Sequence, residues 1–226
     1  MLTSNRDEVS YRPTFAPKLY QVENSELYFP KDSVAGGSWI SVNKNGRTVC
    51  LLNGAFVKHK RKEKYGQSRG NILIELASSE KEPEQYFNEK DLSEIEPFTI
   101  VTVEKEKNEI THLSEFIWDG KQKHFKFLDT SKSYIWSSVT LYSDEHRKMR
   151  REWFKRFTER VNGSISPENI LEFHSAKHID DNSINVIMER KGGLKTVSIT
   201  QIIATNGTSK MKYLDLHGRS KTEINL

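Results

Sequence analysis

The chain has 226 residues, enough to bury a proper core, and its 35% hydrophobic and 29% charged content is that of a polar globular protein. No run of about 18 apolar residues exists to cross a membrane, and charge arrives by Arg6, too early for the apolar region of a secretory leader. A net charge of +4 from 35 basic and 31 acidic residues gives a mixed surface, and a lone Cys50 rules out an internal disulfide or a cysteine zinc site. A cytoplasmic protein is expected.

In chain order, the apolar start Met1–Leu2 leads into the polar string Asn5–Arg6–Asp7–Glu8, which reads as a strand ending in a cleft. Residues 11–31 carry Pro13, Pro17 and Pro30 among aromatics and suit an irregular stretch wrapping into a short strand. Alternation over 38–42, the Asn-Gly turn at 43–46 and the apolar run 47–52 predict a hairpin. Asn53–Gly54 ends it, and the basic run 58–62 follows. Ile72, Leu73 and Leu76 predict a helix over 69–79. After an acidic polar stretch, strands at 98–103, 110–118 and 124–128 joined by turns at 105–109 and 119–123 form a meander.

A further short strand is expected at 134–138. Ser143 caps a helix with Asp144 and Glu145 in its first turn. Met149, Trp153, Phe157 and Val161 form its apolar face; Arg147, Arg150, Arg151, Lys155 and Arg156 populate the solvated remainder. Ser166–Pro167 starts a shorter helix. Strands at 196–204 and 211–216 flank the turn Asn206–Gly207. With no repeat or linker, the order gives one α+β domain over 1–217 and a polar tail, 218–226, that frays.

The common catalytic motifs are missing. Cys50 lies in a buried strand pattern, where a thiol is a small inert hydrophobe. Neither Gly-x-Ser-x-Gly nor a phosphate loop occurs. His174 and His178 stand four apart without the glutamate of a zincin, so neither a metal nor a cofactor is expected. The basic runs at 58–64 and along 147–160 lack interleaved stacking aromatics and read as solvated faces, with no nucleic-acid partner.

Taken together, Asn5–Arg6–Asp7–Glu8, Arg12–Pro13, Gly36–Gly37–Ser38–Trp39–Ile40, Leu51–Leu52–Asn53 and Ser68–Arg69–Gly70, in this order, resemble the NRDE family, which includes the transport and Golgi organisation protein 2. The similarity extends to Trp136–Ser137–Ser138, where relatives often have asparagine. The resemblance implies a four-layer αββα sandwich of the N-terminal nucleophile hydrolase type. In such enzymes a cysteine, serine or threonine at the mature N-terminus attacks an amide, its own amine serves as base, and amide and backbone donors hold the oxyanion. Relatives begin Met–Cys about a dozen residues before the string. Here that cysteine is absent, Leu2 is too bulky for methionine removal, and Thr3 and Ser4 are internal. A preceding strand carrying the nucleophile is therefore expected.

By the same resemblance, Arg6, Asp7, Asn53 and Ser138 are the catalytic candidates. Arg6 would hold an anionic group of the ligand or orient the substrate carbonyl. Asp7 would hold the nucleophile's amine, Asn53 would donate to the oxyanion, and Ser138 would be a weaker second donor. Asn5, Glu8, Arg12 and Ser137 would bind the ligand, an acidic or amphipathic small molecule. Gly36 and Gly37 would serve a tight turn and Trp39 the core. The expected function is hydrolysis of a linear amide; the alternative is non-catalytic binding or trafficking of haem, lipid or acyl-coenzyme A.

Overall fold

The computed structural model describes residues 1–106, 109–162, 165–205 and 208–226. In chain order the elements are β1 (Leu2–Val9), β2 (Thr14–Val22), β3 (Ser25–Asp32), β4 (Ile40–Asn43), β5 (Thr48–Asn53), α1 (Arg69–Ser78), α2 (Pro83–Glu89), β6 (Phe98–Glu106), β7 (Glu109–Trp118), β8 (Lys123–Phe127), α3 (Asp144–Arg160), α4 (Pro167–Ser175), β9 (Leu194–Thr205), β10 (Thr208–Asp215) and β11 (Ser220–Asn225). They divide into two compact units, Met1–Ala16 with Tyr142–Leu226, and Pro17–Leu141. The α+β class with antiparallel sheets is as expected from the sequence.

In the first unit the sheet order is β1-β9-β10-β11. β1 pairs with β9 from Leu2↔Ile202 to Val9↔Leu194, and the register slips between Arg6 and Asp7, leaving Val197 as the extra residue of β9. α4 packs on β1 and β9. Phe157 of α3 meets Phe173 of α4 at 5.0 Å between ring centroids, and Ile199, Ile202 and Met211 are buried in the strands. Ser143 caps α3 by accepting from the His146 amide, and Ser166 with Asn169 closes a capping box on α4.

In the second unit seven strands lie in the order β2-β3-β4-β5-β6-β7-β8. α1 packs on β3, β4 and β5 through Ile72, Leu73, Leu76 and Ala77, all fully buried. Phe87 of α2 stacks on Phe116 of β7 with centroids 3.5 Å apart. The close seat of α1 depends on glycine: a Cβ on Gly37 would lie 2.6 Å from the Gly70 carbonyl carbon, inside contact distance. The Gly36–Gly37–Ser38 and Ser68–Arg69–Gly70 strings, thirty residues apart in sequence, thus meet backbone to backbone, whereas Gly36 alone takes the left-handed turn conformation at φ +73°.

Several expectations are corrected. The proline-bearing segment 11–31 forms two strands, β2 and β3, because Pro17 lies on the edge strand, where its missing N–H disturbs no inner ladder. The acidic stretch before Pro97 contains α2, started by Pro83 at its first turn and held by buried Phe87. Residues 134–138 are not a strand; side chains fix this irregular segment instead, with Trp136 Nε1 donating to Glu115 Oε2 at 2.6 Å. The tail 218–226, expected to fray, is drawn into the first sheet as β11 on β10. The turn at Asn206–Gly207 and the centre of the 105–109 turn lie outside the described residues.

Candidate functional site

Successive residues of a strand point to opposite faces, and this splits the Asn5–Arg6–Asp7–Glu8 string in two. The string lies inside β1 rather than at its end. Asn5 and Asp7 take the face that carries the helices. Asn5 Nδ2 donates to the carbonyls of His174 at 3.1 Å and Val186 at 2.9 Å. Its Oδ1 lies 2.9 Å from His174 Nδ1, and as that oxygen only accepts, the imidazole carries its proton on Nδ1. Burial holds the His174 pKa down at about 4, helped by the nearby Arg150 and His178.

Asp7 is the centre of the helix-side cluster. Its Oδ2 accepts from the Tyr142 hydroxyl at 2.9 Å and its Oδ1 from Thr196 Oγ1 at 2.6 Å. Burial raises its pKa, opposed by those two bonds and by the field of Arg150 and Arg190. The Arg150 guanidinium lies 3.6 Å from the Tyr142 ring centroid, its Nε donates to the Ile184 carbonyl at 3.2 Å, and another nitrogen donates to Asn185 O. Arg190 approaches the same ring at 5.3 Å. Burial and the Asp7 charge push the Tyr142 hydroxyl up, so it stays protonated and remains a donor. Each Asp7 oxygen keeps one lone pair beyond its bond here, so the carboxylate retains acceptor capacity.

Arg6 and Glu8 take the other face. Arg6, 6% exposed, donates through Nη1 to the Arg12 carbonyl at 3.2 Å and to Thr14 Oγ1 at 2.6 Å. Glu8 Oε2 lies 3.8 Å from Arg6 Nη2 and 2.9 Å from Arg12 Nη1. This network folds residues 9–14 back along β1. Beside it opens a cleft of about 290 Å³ whose polar wall is Ser10, Arg12, Thr14, Tyr213, Asp215 and His217. Of the expected ligand-binding residues, Arg12 alone lines the cleft; Glu8 braces it and Asn5 faces away.

The remaining candidates belong to the second unit. Asn53 ends β5 with its side chain exposed, and its carbonyl accepts from Ser138 Oγ at 2.9 Å. Ser138 Oγ also lies 3.0 Å from Thr140 Oγ1. The structure therefore brings Asn53 and Ser138 together across 85 residues of sequence, with Ser138 bracing the strand end. Ser137 is half-buried beside it. Cys50 is buried within β5. His178 stacks on Trp153 at 5.1 Å, and among the described residues no three His, Cys, Asp or Glu side chains cluster to hold a metal.

Sequence reasoning missed Tyr142, Thr196, Arg190 and above all Arg150. Arg150 was placed on the solvated face of α3 and is instead 7% exposed. A signal was present: Arg150 precedes Trp153 by three and Phe157 by seven, the spacing of one helical stripe. Arg151, Lys155 and Arg156 are exposed as expected.

A family model described as transport and Golgi organisation 2 matches residues 1–222. No curated protein is matched. Among solved structures, a variant of conjugated bile acid hydrolase from Clostridium perfringens is similar at TM-score 0.57 and 11% identity, covering 99% of this chain and 88% of that one. Penicillin V acylase from Agrobacterium tumefaciens is similar at TM-score 0.56 and 10% identity, covering 99% and 81%. The Caenorhabditis elegans orthologue of N-acylethanolamine-hydrolyzing acid amidase follows at 0.50 and 12%, covering 88% and 85%. At these identities the likeness shows the fold, that of the N-terminal nucleophile hydrolases. Among the described residues no helix is long and apolar enough to cross a membrane.

Proposed function

The chain belongs to the transport and Golgi organisation 2 family, and from that premise we propose that it is a hydrolase of a linear amide whose acyl part is acidic or amphipathic. The observation that carries this reading is the likeness, over 99% of the chain, to proteins named as a hydrolase and an acylase. In this reading Asp7 orients the amine of the nucleophilic residue through its spare lone pairs. The Met1 amine is not within reach of Asp7, because an extended strand rises about 3.3 Å per residue and Met1 lies roughly 20 Å along it. Arg12, across β1 from Asp7, would meet an anionic group in the cleft of its own face, and within the second unit Asn53 is the amide donor expected from the resemblance, with Ser138 fixing the strand end that presents it. Arg6 positions Arg12.

The test is amine release from a panel of N-acyl amino acids and N-acyl ethanolamines by the full-length protein, with Asp7→Asn as control. Turnover that falls at least about a hundredfold in Asp7→Asn supports the reading. Absence of both turnover and an acyl adduct in the intact mass refutes it. A second reading is favoured by one observation: the side chains of Arg6 and Glu8 are engaged in internal bonds that brace Arg12 beside the cleft, as suits a rigid binding wall. It makes the protein a binder of haem, lipid or acyl-coenzyme A. Thermal stabilisation of the full-length protein by one of these ligands, without turnover, separates it from the first.

A further inference from the structure

The basic run between β5 and α1 is the sequence feature that the proposed hydrolase does not use. Over 58–64 it holds five cationic side chains, Lys58, Lys60, Arg61, Lys62 and Lys64, against one carboxylate, Glu63. All five are exposed, and among the described residues none of them makes an ion pair. Immediately before them, Phe56 is 48% and Val57 71% exposed. Large apolar side chains scattered singly over a surface need no explanation, but two adjacent ones leading directly into a basic run form an amphipathic tip.

The tip is anchored to the second unit at both ends and in its middle. On the N-terminal side the Gly54 amide donates to the Pro97 carbonyl at 3.0 Å and Ala55 is buried. On the C-terminal side the Gly66 amide donates to the Glu94 carbonyl at 2.8 Å. In the middle, His59 Nε2 lies 3.0 Å from Glu96 Oε1, while the other oxygen of Glu96 is taken by Arg69 at 3.1 Å. Both oxygens of Glu96 are thereby engaged by His59 and Arg69 rather than by the lysines of the loop. Phe56 sets its ring edge-on to His124 of β8, with centroids 5.0 Å apart and planes at 86°.

We propose that the loop 56–64 docks this protein on an anionic lipid surface, with Phe56 and Val57 entering the headgroup boundary and the five cations lying over acidic headgroups. Charge complementarity selects the partner, and the apolar pair selects a bilayer over a nucleic acid. A polyphosphate backbone offers the lysines as much charge but gives an exposed phenylalanine and valine nothing apolar to enter. Each Lys or Arg near an anionic surface strengthens partition about fivefold, and each buried apolar side chain adds about tenfold.

The experiment is sedimentation of the full-length protein with phosphatidylcholine vesicles and with vesicles containing 30% phosphatidylserine, at 0.1 M and 0.5 M salt. Binding is expected to require phosphatidylserine and to weaken at high salt, where screening shortens to below about 5 Å. Lys60→Gln/Arg61→Gln/Lys62→Gln is expected to lose about a hundredfold in partition, and Phe56→Ser/Val57→Ser about a hundredfold as well. Both variants alter exposed positions and should melt with the wild type; the phosphatidylserine and salt titrations of the wild type need no variant at all. Equal binding to neutral vesicles, either variant partitioning as the wild type, or capture of a mixed-sequence oligonucleotide in place of vesicles overturns the proposal.

Discussion

Replacing Arg150 with methionine tests whether α3 is fixed by a buried cation. The side chain is 7% exposed and caps the carbonyls of Ile184 and Asn185 while its guanidinium lies 3.6 Å from the Tyr142 ring centroid. Arg150→Met keeps most of the volume but leaves two carbonyls without their charged donor and strips a cation from beside Asp7. Hydrogen bonds to a charged donor contribute about 1.5–3 kcal/mol each and the ring contact about 1–2. Because these terms overlap, removal of one partner from a buried charged network, about 3–5 kcal/mol, is the better figure. For a chain of this size, 1 kcal/mol moves the melting temperature by about 2–4 °C, so a fall of about 10 °C is expected by scanning calorimetry. Arg151→Met, one residue away and exposed, is the control and should stay within about 0.5 kcal/mol of the wild type. Equal melting of the two variants would refute a structural role for Arg150 and return α3 to an ordinary amphipathic helix.

Three further outcomes are expected. His174 has a folded pKa of about 4 against 6.5 in its ordinary state, so the unfolded chain binds the proton first. Its contribution is full above about pH 6.5 and lost as pH falls towards 4, an upper limit of about 3 kcal/mol, nearer 2 with the ring partly exposed; His174→Gln should flatten the melting temperature across that window. Asp7, raised by burial, acts with the opposite sign, costing stability above its folded pKa and returning it as pH falls towards 3.8, so the two variants should tilt the pH profile in opposite directions. Gly37→Ala should lower stability by about 2 kcal/mol or more by forcing α1 off its seat 2.6 Å away, and a loss under about 0.5 kcal/mol in denaturant unfolding would show that the seat of α1 does not depend on Gly37.

What the sequence made legible was local. The caps Ser143 and Ser166–Pro167, the Asn43–Gly46 turn and the three-to-four spacing of α1 are decided within a few residues, and each element formed where its signal lay. The NRDE string was recognisable as a site-like feature, but its division between two faces was not, because reading it as the end of a strand hid the alternation that sends Asn5 and Asp7 one way and Arg6 and Glu8 the other. The bond from Ser138 to Asn53 spans 85 residues and leaves no mark in either segment. Arg150 escaped because charge was taken as the sign of exposure. Burial of an arginine becomes affordable only once carbonyls, an aromatic face and a carboxylate converge on it, and those come from three separate stretches of the chain.

The cost of the helix-side cluster is itself informative. Replacing a buried, hydrogen-bonded ionic group by apolar side chains of similar volume is often neutral or stabilising by about 1–4 kcal/mol, so a fold alone does not require Asp7 with Tyr142, Thr196 and Arg150 at the root of α3. Burial works against the carboxylate, two hydroxyl donors and two guanidinium groups work for it, and each of its oxygens is left with room for one more donor. An acid poised in this way suits a group that must accept a further hydrogen bond in a dry site, which is the demand an orienting residue for a nucleophile's amine would place on it. Asp7→Asn then separates structure from chemistry, because it keeps an acceptor for the Tyr142 or Thr196 hydroxyl: if the acid is there for function, this variant should stay folded and release no amine, whereas Asp7→Leu strands both hydroxyls and should melt lower. A folded Asp7→Asn variant that keeps its turnover would make Asp7 a packing residue and remove it from the reaction.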